Sequence, residues 1–260
     1  MLLKRKIALV TGGASGVGRA TCHMMAGEGA GVIVADLDEG GAAKTANAIG
    51  EAAFPITLDV SDERMWVQAC AHIVEALGRL DIVANIAGIG RGGSIEDTDM
   101  DDWNAMIAVN LTGTMLGCKH GLKTIVTSGG RGAIVNMSSI GGLVGPSDIA
   151  GYCASKGGVT TLTKSVAMHC AEKGYPVRCL SIHPTYVDTE MLDPVADAGG
   201  ISRTDLTAGM AKLVPMGRVA AADDVANAVV FAASDRAAMM SGSALLVDGA
   251  QLAGPPSAHF

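Results

Sequence analysis

Ile7-Ala8-Leu9-Val10 runs without a break into Thr11-Gly12-Gly13-Ala14-Ser15-Gly16-Val17-Gly18, and Arg19 to Glu28 then carries a helical pattern. A short continuous apolar run marks a strand buried on both faces, as in a parallel sheet. Strand, glycine turn and helix together aim backbone N–H groups and a helix N-terminus at an anion such as phosphate. In that reading Gly12 lets the chain turn, Gly16 lets a pyrophosphate approach the backbone, and Gly18 lets the helix pack on the sheet. The spacing is G-x-x-x-G-x-G, which differs from the general G-x-G-x-x-G fingerprint, so the turn needs support from its surroundings.

That support begins with the next strand, Gly31 to Ala35, which ends at Asp36, 18 residues beyond Gly18. An acid about 20 residues on is expected where a carboxylate binds the ribose hydroxyls. It accepts the 2′-OH of NAD and repels the 2′-phosphate of NADP, and neither Ser15 nor Leu37 supplies a cation for that phosphate. The expected cofactor is therefore NAD.

The alternation continues along the chain. Gly40 to Ile49 reads as a helix and Phe54 to Leu58 as a strand closing on Asp59-Val60. Asp62 to Leu77 is an amphipathic helix in which Trp66 is expected in the core. Leu80 to Ala84 is a strand leading into Asn85-Ile86-Ala87-Gly88. After a glycine-rich loop, 88–93, a long helix is expected from Asp101 to about Val126, with Asn110 an unfavourable choice for its interior. Ala133 to Met137 is a strand ending in Ser138-Ser139, and Tyr152 to Ala171 a helix. Val177 to Ile182 runs into His183-Pro184-Thr185-Tyr186-Val187-Asp188-Thr189. An irregular stretch to about Arg218 precedes a helix, Ala222 to Ala233, and a last strand, Ala244 to Val247. Strands separated by helices imply an α/β, doubly wound Rossmann fold with a mostly parallel seven-stranded sheet. A ligand belongs at the carboxyl ends of its strands, at the switch point. No linker divides residues 1–260, so a single domain is expected.

Composition narrows the function. Apolar residues make up 49% of the 260 and charged residues 17%, which describes a globular chain. A net charge of −7 without a basic cluster argues against nucleic acid. No apolar run is long enough for a bilayer, and Lys4-Arg5-Lys6 is read as a solvated strand entrance. Cys22, Cys70, Cys118, Cys153, Cys170 and Cys179 show no CxxC spacing and are expected as free, mostly buried thiols in a reducing cytoplasm. Neither the cysteines nor the six histidines show metal-ligand spacing, so no metal site is expected.

Tyr152 and Lys156 stand one helical turn apart, on one face. A phenol with a pKa of about 10 is under about 1% ionised at neutral pH, and a nearby cation is expected to lower that value. A fall of about 3 units needs roughly 4 kcal/mol of differential stabilisation.

These residues, together with Ser241-Gly242 ahead of Val247-Asp248-Gly249, resemble the short-chain dehydrogenase/reductase family over nearly the whole chain. Within it the chain looks most similar to bacterial NAD-dependent hydroxysteroid and cyclic-alcohol dehydrogenases, with His183-Pro184 as a minor mark. The resemblance implies Tyr152 as acid/base and Lys156 as the cation that lowers its pKa and holds the nicotinamide ribose. It implies Ser139, thirteen residues before the Tyr, as the hydrogen-bond partner of the reacting oxygen, and Asn110 as the holder of a relay water. The cofactor set it implies is Gly12, Ser15, Gly16, Val17 and Gly18 at the phosphates, with Asp36 and Leu37 at the ribose. Asp59 with Val60 would meet the adenine; Asn85, Ala87, Gly88 and Pro184 would line the cofactor; Tyr152 and Lys156 stand at the nicotinamide end, and Val187 and Thr189 would grip the carboxamide. Ile86 and Thr185 depart from the family's usual Asn and Gly; Thr185 could narrow the pocket or reach the substrate.

A substrate loop is expected at about 189–217, where Met191, Leu192, Val195, Ile201, Leu206, Met210, Leu213 and Val214 suit either a mobile lid or ordinary packing and subunit contact. Arg91 and Arg203 are the conceivable partners for a charged substrate. An apolar secondary alcohol or ketone, such as a hydroxysteroid, is the favoured substrate. A 3-oxoacyl carrier-protein reductase and a non-catalytic NAD-binding interaction protein are the alternatives. The resemblance also implies a homotetramer, through the helices beginning near Asp101 and Tyr152.

Overall fold

In the computed structural model, which describes residues 1–254, the first apolar run becomes β1, Ile7–Thr11. Its register explains the unbroken hydrophobicity. Ala8 lies between Val32 of β2 (Gly31–Asp36) and Ile82 of β4 (Ile82–Asn85), with Leu9 and Val10 likewise flanked on both sides. Ala8 and Val10 pack into the core on one face, with Met25, Val225 and Val229. Leu9 packs into the core on the other, with Trp66, Ile73 and Ile125. A strand covered on both faces favours apolar residues throughout, with the polar Thr11 only at its carboxyl end, and Leu9 and Val10 each contribute about 1.5–3 kcal/mol on full burial.

The rest of the sheet is built the same way. β3 (Ala53–Thr57) pairs with β2, β5 (Gly132–Met137) with β4, and β6 (Val177–Pro184) with β5, every pair parallel. Numbering the three later strands β7 (Val187–Asp188), β8 (Ala220–Ala221) and β9 (Ala244–Val247), the sheet order is β3-β2-β1-β4-β5-β6-β9. The order reverses between β1 and β4. The crevice between their carboxyl ends is where such sheets bind ligands.

The connecting helices are α1 (Gly16–Gly27), α2 (Glu39–Ile49) and α3 (Glu63–Leu77). Asp38 and Asp62 cap α2 and α3 by accepting from Gly41 N and Arg64 N. Between β4 and β5 the expected single helix is three segments: α4 (Met100–Met106), a π-helical turn at Ile107–Thr112, and α5 (Gly113–Ser128). After β5 comes α6, Ala150–Glu172, and after β8 comes α9, Ala222–Ala233.

The stretch expected to be irregular is largely helical. α7 (Asp193–Gly199) and α8 (Arg203–Ala211) fill it, divided by Gly200 at φ +63°. Each is short. Pro194 opens the first, and Ser202 caps the second by accepting from Asp205 N. A parallel two-stranded ladder, β7 with β8, closes the ends of this segment. The last six residues of the domain expected over 1–260 lie outside the described residues.

Candidate active site

The turn after β1 is shaped by close approach. Gly12 sits at φ +70°, and a Cβ there would stand 2.9 Å from the Cα of Ala87. A Cβ on Gly18 would lie 1.9 Å from the Gly12 carbonyl oxygen, which no adjustment of a side chain could relieve. Thr11 joins the two strand ends, its Oγ1 accepting from Ile86 N at 3.0 Å and Ala87 N at 3.1 Å.

This cradle accepts anions in the structure itself. The Glu190 carboxylate takes the Gly16 N–H at 3.1 Å, at the first residue of α1, and pairs with Arg19 at 2.6 Å. These bonds hold Glu190 below the usual carboxylate range against the opposing effect of burial. A dinucleotide phosphate needs the same N–H groups, so the turn fits it. Ser15, exposed at the N-cap, makes no side-chain cap bond and stays available. Asp36 accepts from Ala14 N at 2.9 Å and from Asp38 N at 3.0 Å, which fixes its carboxylate beside the turn. Leu37, next to it, is 68% exposed.

The expected catalytic residues come from three elements. Lys156 on α6 is buried, and its Nζ donates to the Met137 carbonyl at the end of β5 at 2.9 Å. It lies 5.7 Å from the centroid of the Tyr152 ring, so the helical spacing does place phenol and ammonium on one side. Ser139 begins the turn after β5, where its Oγ accepts from Gly141 N at 3.1 Å. Ser138 faces elsewhere: its Oγ bonds the Lys156 carbonyl and Thr160, both at 2.9 Å. Asn110 lies in the π turn, fully buried. Its amide clamps Ile89, accepting from N at 2.8 Å and donating to O at 2.9 Å, and donates also to Ser155 at 3.0 Å. Gly88 stands close to both groups, 3.2 Å from the Asn110 Oδ1 and 3.3 Å from the Lys156 Nζ when extended by a Cβ. The turn departs from α-helix where this three-way contact is made, as π-bulges commonly do at functional sites.

The electrostatics differ from expectation in the protein alone. Burial pushes the Tyr152 phenol up, with the Ser139 hydrogen bond acting against it. Burial also brings Lys156 down, to about 8. Desolvation therefore dominates both groups, and proximity to Lys156 does not by itself make the phenol acidic.

The remaining residues of the expected site fall into two groups. Thr189 packs beside Gly16, a Cβ on the glycine meeting it at 3.2 Å. Val187 lies on β7, Pro184 ends β6 and Ala87 abuts Gly12. Others turn inward. Asn85 is 3% exposed and donates to Asn136 at 2.8 Å, beneath α5, so it faces the crevice only through its backbone. Asp59 accepts from the Ser61 N–H at 2.8 Å and hydroxyl at 2.7 Å, and the Val60 carbonyl accepts from Trp66, which is core as expected. Thr185 donates to Gln251 and not into the pocket. Arg91 pairs with Asp102 at 3.4 Å, and Arg203 with Asp188 at 3.2 Å and Asp193 at 3.0 Å. The Arg19–Glu190 pair and the support of Asn110 by Ser155 were not legible beforehand, since each joins residues far apart in the chain. Among the described residues no group of His, Cys, Asp or Glu could hold a metal, and no helix is long and apolar enough to cross a membrane. The six cysteines are free, five buried and Cys153 half-buried.

A crevice at a sheet switch point with a phosphate-ready turn and a Ser, Tyr and Lys at its rim defines a nicotinamide-dependent oxidoreductase. A family model described as enoyl-(acyl carrier protein) reductase matches residues 12–250. The chain belongs to the short-chain dehydrogenase/reductase family, whose members bind NAD or NADP. It is 38% identical over 261 residues to trans-4-hydroxycyclohexanecarboxylate dehydrogenase of Sinomonas cyclohexanicum, covering 96% of this chain and 93% of that one. It is 35% identical to 3-beta-hydroxysteroid dehydrogenase of Comamonas testosteroni, with 96% and 97% covered. The ligand-free structure of Thermoplasma acidophilum aldohexose dehydrogenase superimposes with a TM-score of 0.88 at 30% identity, covering 98% and 97%.

Proposed function

We propose that this protein interconverts an uncharged cyclic secondary alcohol and its ketone with NAD(H), using Tyr152 as acid/base. The observation that carries the reading is the buried Lys156 ammonium, fixed by the Met137 carbonyl at 2.9 Å and seated 5.7 Å from the Tyr152 ring. The α1 turn with Asp36 would hold NAD⁺, which when bound would supply the hydride acceptor and a positive charge. In alcohol oxidation Tyr152 takes the hydroxyl proton as the carbinol hydride leaves, while Ser139 donates to the oxygen on which negative charge develops. In reduction Tyr152 returns the proton. Since burial alone raises the Tyr152 pKa, that charge is needed to bring the phenolate into range. Asn110, whose amide already holds Ile89 and Ser155, is assigned the relay role by the family resemblance.

Asp36 supports NAD over NADP, because its fixed carboxylate repels a 2′-phosphate. Arg91 and Arg203 already have carboxylate partners, which supports an uncharged substrate. The relatives acting on a hydroxycyclohexane acid and a hydroxysteroid, by their names, support a ring alcohol. Met191, Val195, Ile201, Leu213 and Met216 of the 189–217 segment are exposed apolar side chains suited to cover such a ring. We assign a homotetramer to the faces of α5 and α6, where Met115 and Met168 are exposed, and a cytoplasmic location to a chain of free thiols; light scattering on the purified protein tests the first.

The deciding assay offers steroids, terpene alcohols, cyclohexanol and 3-oxoacyl thioesters with NAD⁺ or NADH and follows absorbance at 340 nm. Turnover of a neutral ring alcohol is expected. Activity confined to the thioesters points to the carrier-protein reductase alternative, and no change with any compound to a binding protein.

A further inference from the structure

His183 is fully buried at the end of β6, yet no step described above uses it. Its Nδ1 lies 2.9 Å from the Ser139 carbonyl oxygen, and its Nε2 lies 2.8 Å from the Ser181 hydroxyl. A carbonyl can only accept, so Nδ1 carries the hydrogen. Burial holds the imidazole below its ordinary pKa; the bond to the Ser139 carbonyl opposes this, and the Lys156 and Lys164 charges add to it. A neutral ring with Nδ1–H has a bare Nε2, which accepts from Ser181. Donor and acceptor roles are thus settled along the whole chain from Ser181 through His183 to Ser139.

Three consecutive residues leave β5 at this point, and their tethers differ. Met137 O is held by the Lys156 ammonium, and Ser138 Oγ by the Lys156 carbonyl and Thr160, all from α6. Ser139 O takes the local Gly142 N–H at 3.0 Å. Its other bond is from His183 of β6, the strand that also receives the preceding Ser138 N–H on the Ile182 carbonyl at 2.9 Å. The carbonyl of the residue assigned to the reacting oxygen is therefore held from β6 by an imidazole that has no other role in the site.

We propose that His183 is a positioning residue, which through its Nδ1–H bond to the Ser139 carbonyl sets where the Ser139 hydroxyl stands relative to Tyr152. The inference rests on the oxidoreductase reading for its kinetic consequence, but not for the bond itself. Losing that tether displaces a hydroxyl that must be placed to a fraction of an ångström, and misplacement of about 1 Å costs up to about 100-fold.

The test compares His183→Leu, which removes the donor, with His183→Asn, whose amide nitrogen takes the place of Nδ1. Each is made in the parent and in Ser139→Ala, with cyclohexanol and NAD⁺ at 340 nm. His183→Leu is expected to lose about 10-fold or more in kcat, with the NADH dissociation constant unchanged by fluorescence titration. His183→Asn is expected to recover most of that loss. In Ser139→Ala the Leu substitution is expected to cost little further, because the group it positions is gone. Undiminished kcat, a loss that is equally large without the Ser139 hydroxyl, or weakened NADH binding would each overturn the proposal. If His183→Leu fails to fold, Ser181→Ala loosens the imidazole from its other side and must show the same dependence on Ser139. Should the parent enzyme oxidise no alcohol, the functional reading falls. The ¹⁵N resonances of His183, assigned with His183→Asn, still decide the tether: an Nδ1–H tautomer supports it and an Nε2–H tautomer refutes it.

Discussion

Replacing Lys156 by Met trades a buried ammonium for a neutral chain of similar length, and the structure says what this does to stability. The lysine is 3% exposed, and burial alone draws its pKa from 10.5 to about 8. Each unit is worth about 1.4 kcal/mol, so keeping the charge inside costs the fold about 3 kcal/mol at neutral pH. The substitution also removes the bond to the Met137 carbonyl, which returns about 1 kcal/mol. The Met variant is therefore expected to be more stable by about 2 kcal/mol at pH 7, or about 4–8 °C in Tm for a chain of this size. The sign follows from proton counting. Between pH 8 and 10.5 the unfolded chain holds the proton that the folded one has released, so wild-type stability rises with pH across that window. By pH 9.5 the cost of the charge has shrunk to about 1 kcal/mol and the advantage of Met is expected to vanish. Calorimetric melts of both proteins at pH 7 and pH 9.5, with turnover measured alongside, test this. A variant no more stable at pH 7, or one equally favoured at both pH values, refutes the reasoning. A stabilised but inactive protein is the outcome expected where a charge is kept for chemistry at the expense of stability.

Tyr152→Phe is expected to reduce alcohol oxidation by more than about 100-fold while leaving NADH binding within about twofold, read by 340 nm kinetics and fluorescence titration. Asp36→Ala should erode the preference for NAD over NADP by at least about 10-fold in kcat/KM, because the carboxylate opposing the 2′-phosphate is gone, though the Ala14 tether it also provides is lost with it. Gly18→Ala puts a Cβ 1.9 Å from the Gly12 carbonyl and is expected to lower Tm and abolish measurable NADH binding together. Asn110→Ala leaves both polar groups of Ile89 without their side-chain partner and should cost about 1–3 kcal/mol in urea titration, together with a loss of kcat.

How far the sequence carries depends on whether a feature is local. β1 declared itself because Ala8-Leu9-Val10 is packed on both faces, and α9 and β9 have the same bounds in sequence and structure because their patterns are local. Asn110 stood out as a poor helix former, but the π turn that accommodates it depends on Ile89, 21 residues away, and on Ser155, 45 residues away. α7 and α8 escaped notice because each is too short to show a period and a glycine at positive φ divides them. Asn85 occupied the expected position with its side chain on the other side of the strand. Helical spacing brings Lys156 toward Tyr152, but only the packed structure shows that burial raises the phenol and lowers the ammonium in the protein alone.

The β7–β8 ladder has an evolutionary corollary. Val187 faces Ala220 and Asp188 faces Ala221, so the polypeptide enters and leaves the 189–219 excursion through one clasp. Beyond the clasp the excursion rejoins the fold through Glu190 at the α1 turn and through Met216 N on the Gly249 carbonyl, so α7 and α8 form the part that can change length with least effect on β6 and α9. A segment closed at its base in this way is where loop changes are tolerated best, because the sheet and its flanking helices do not run through it.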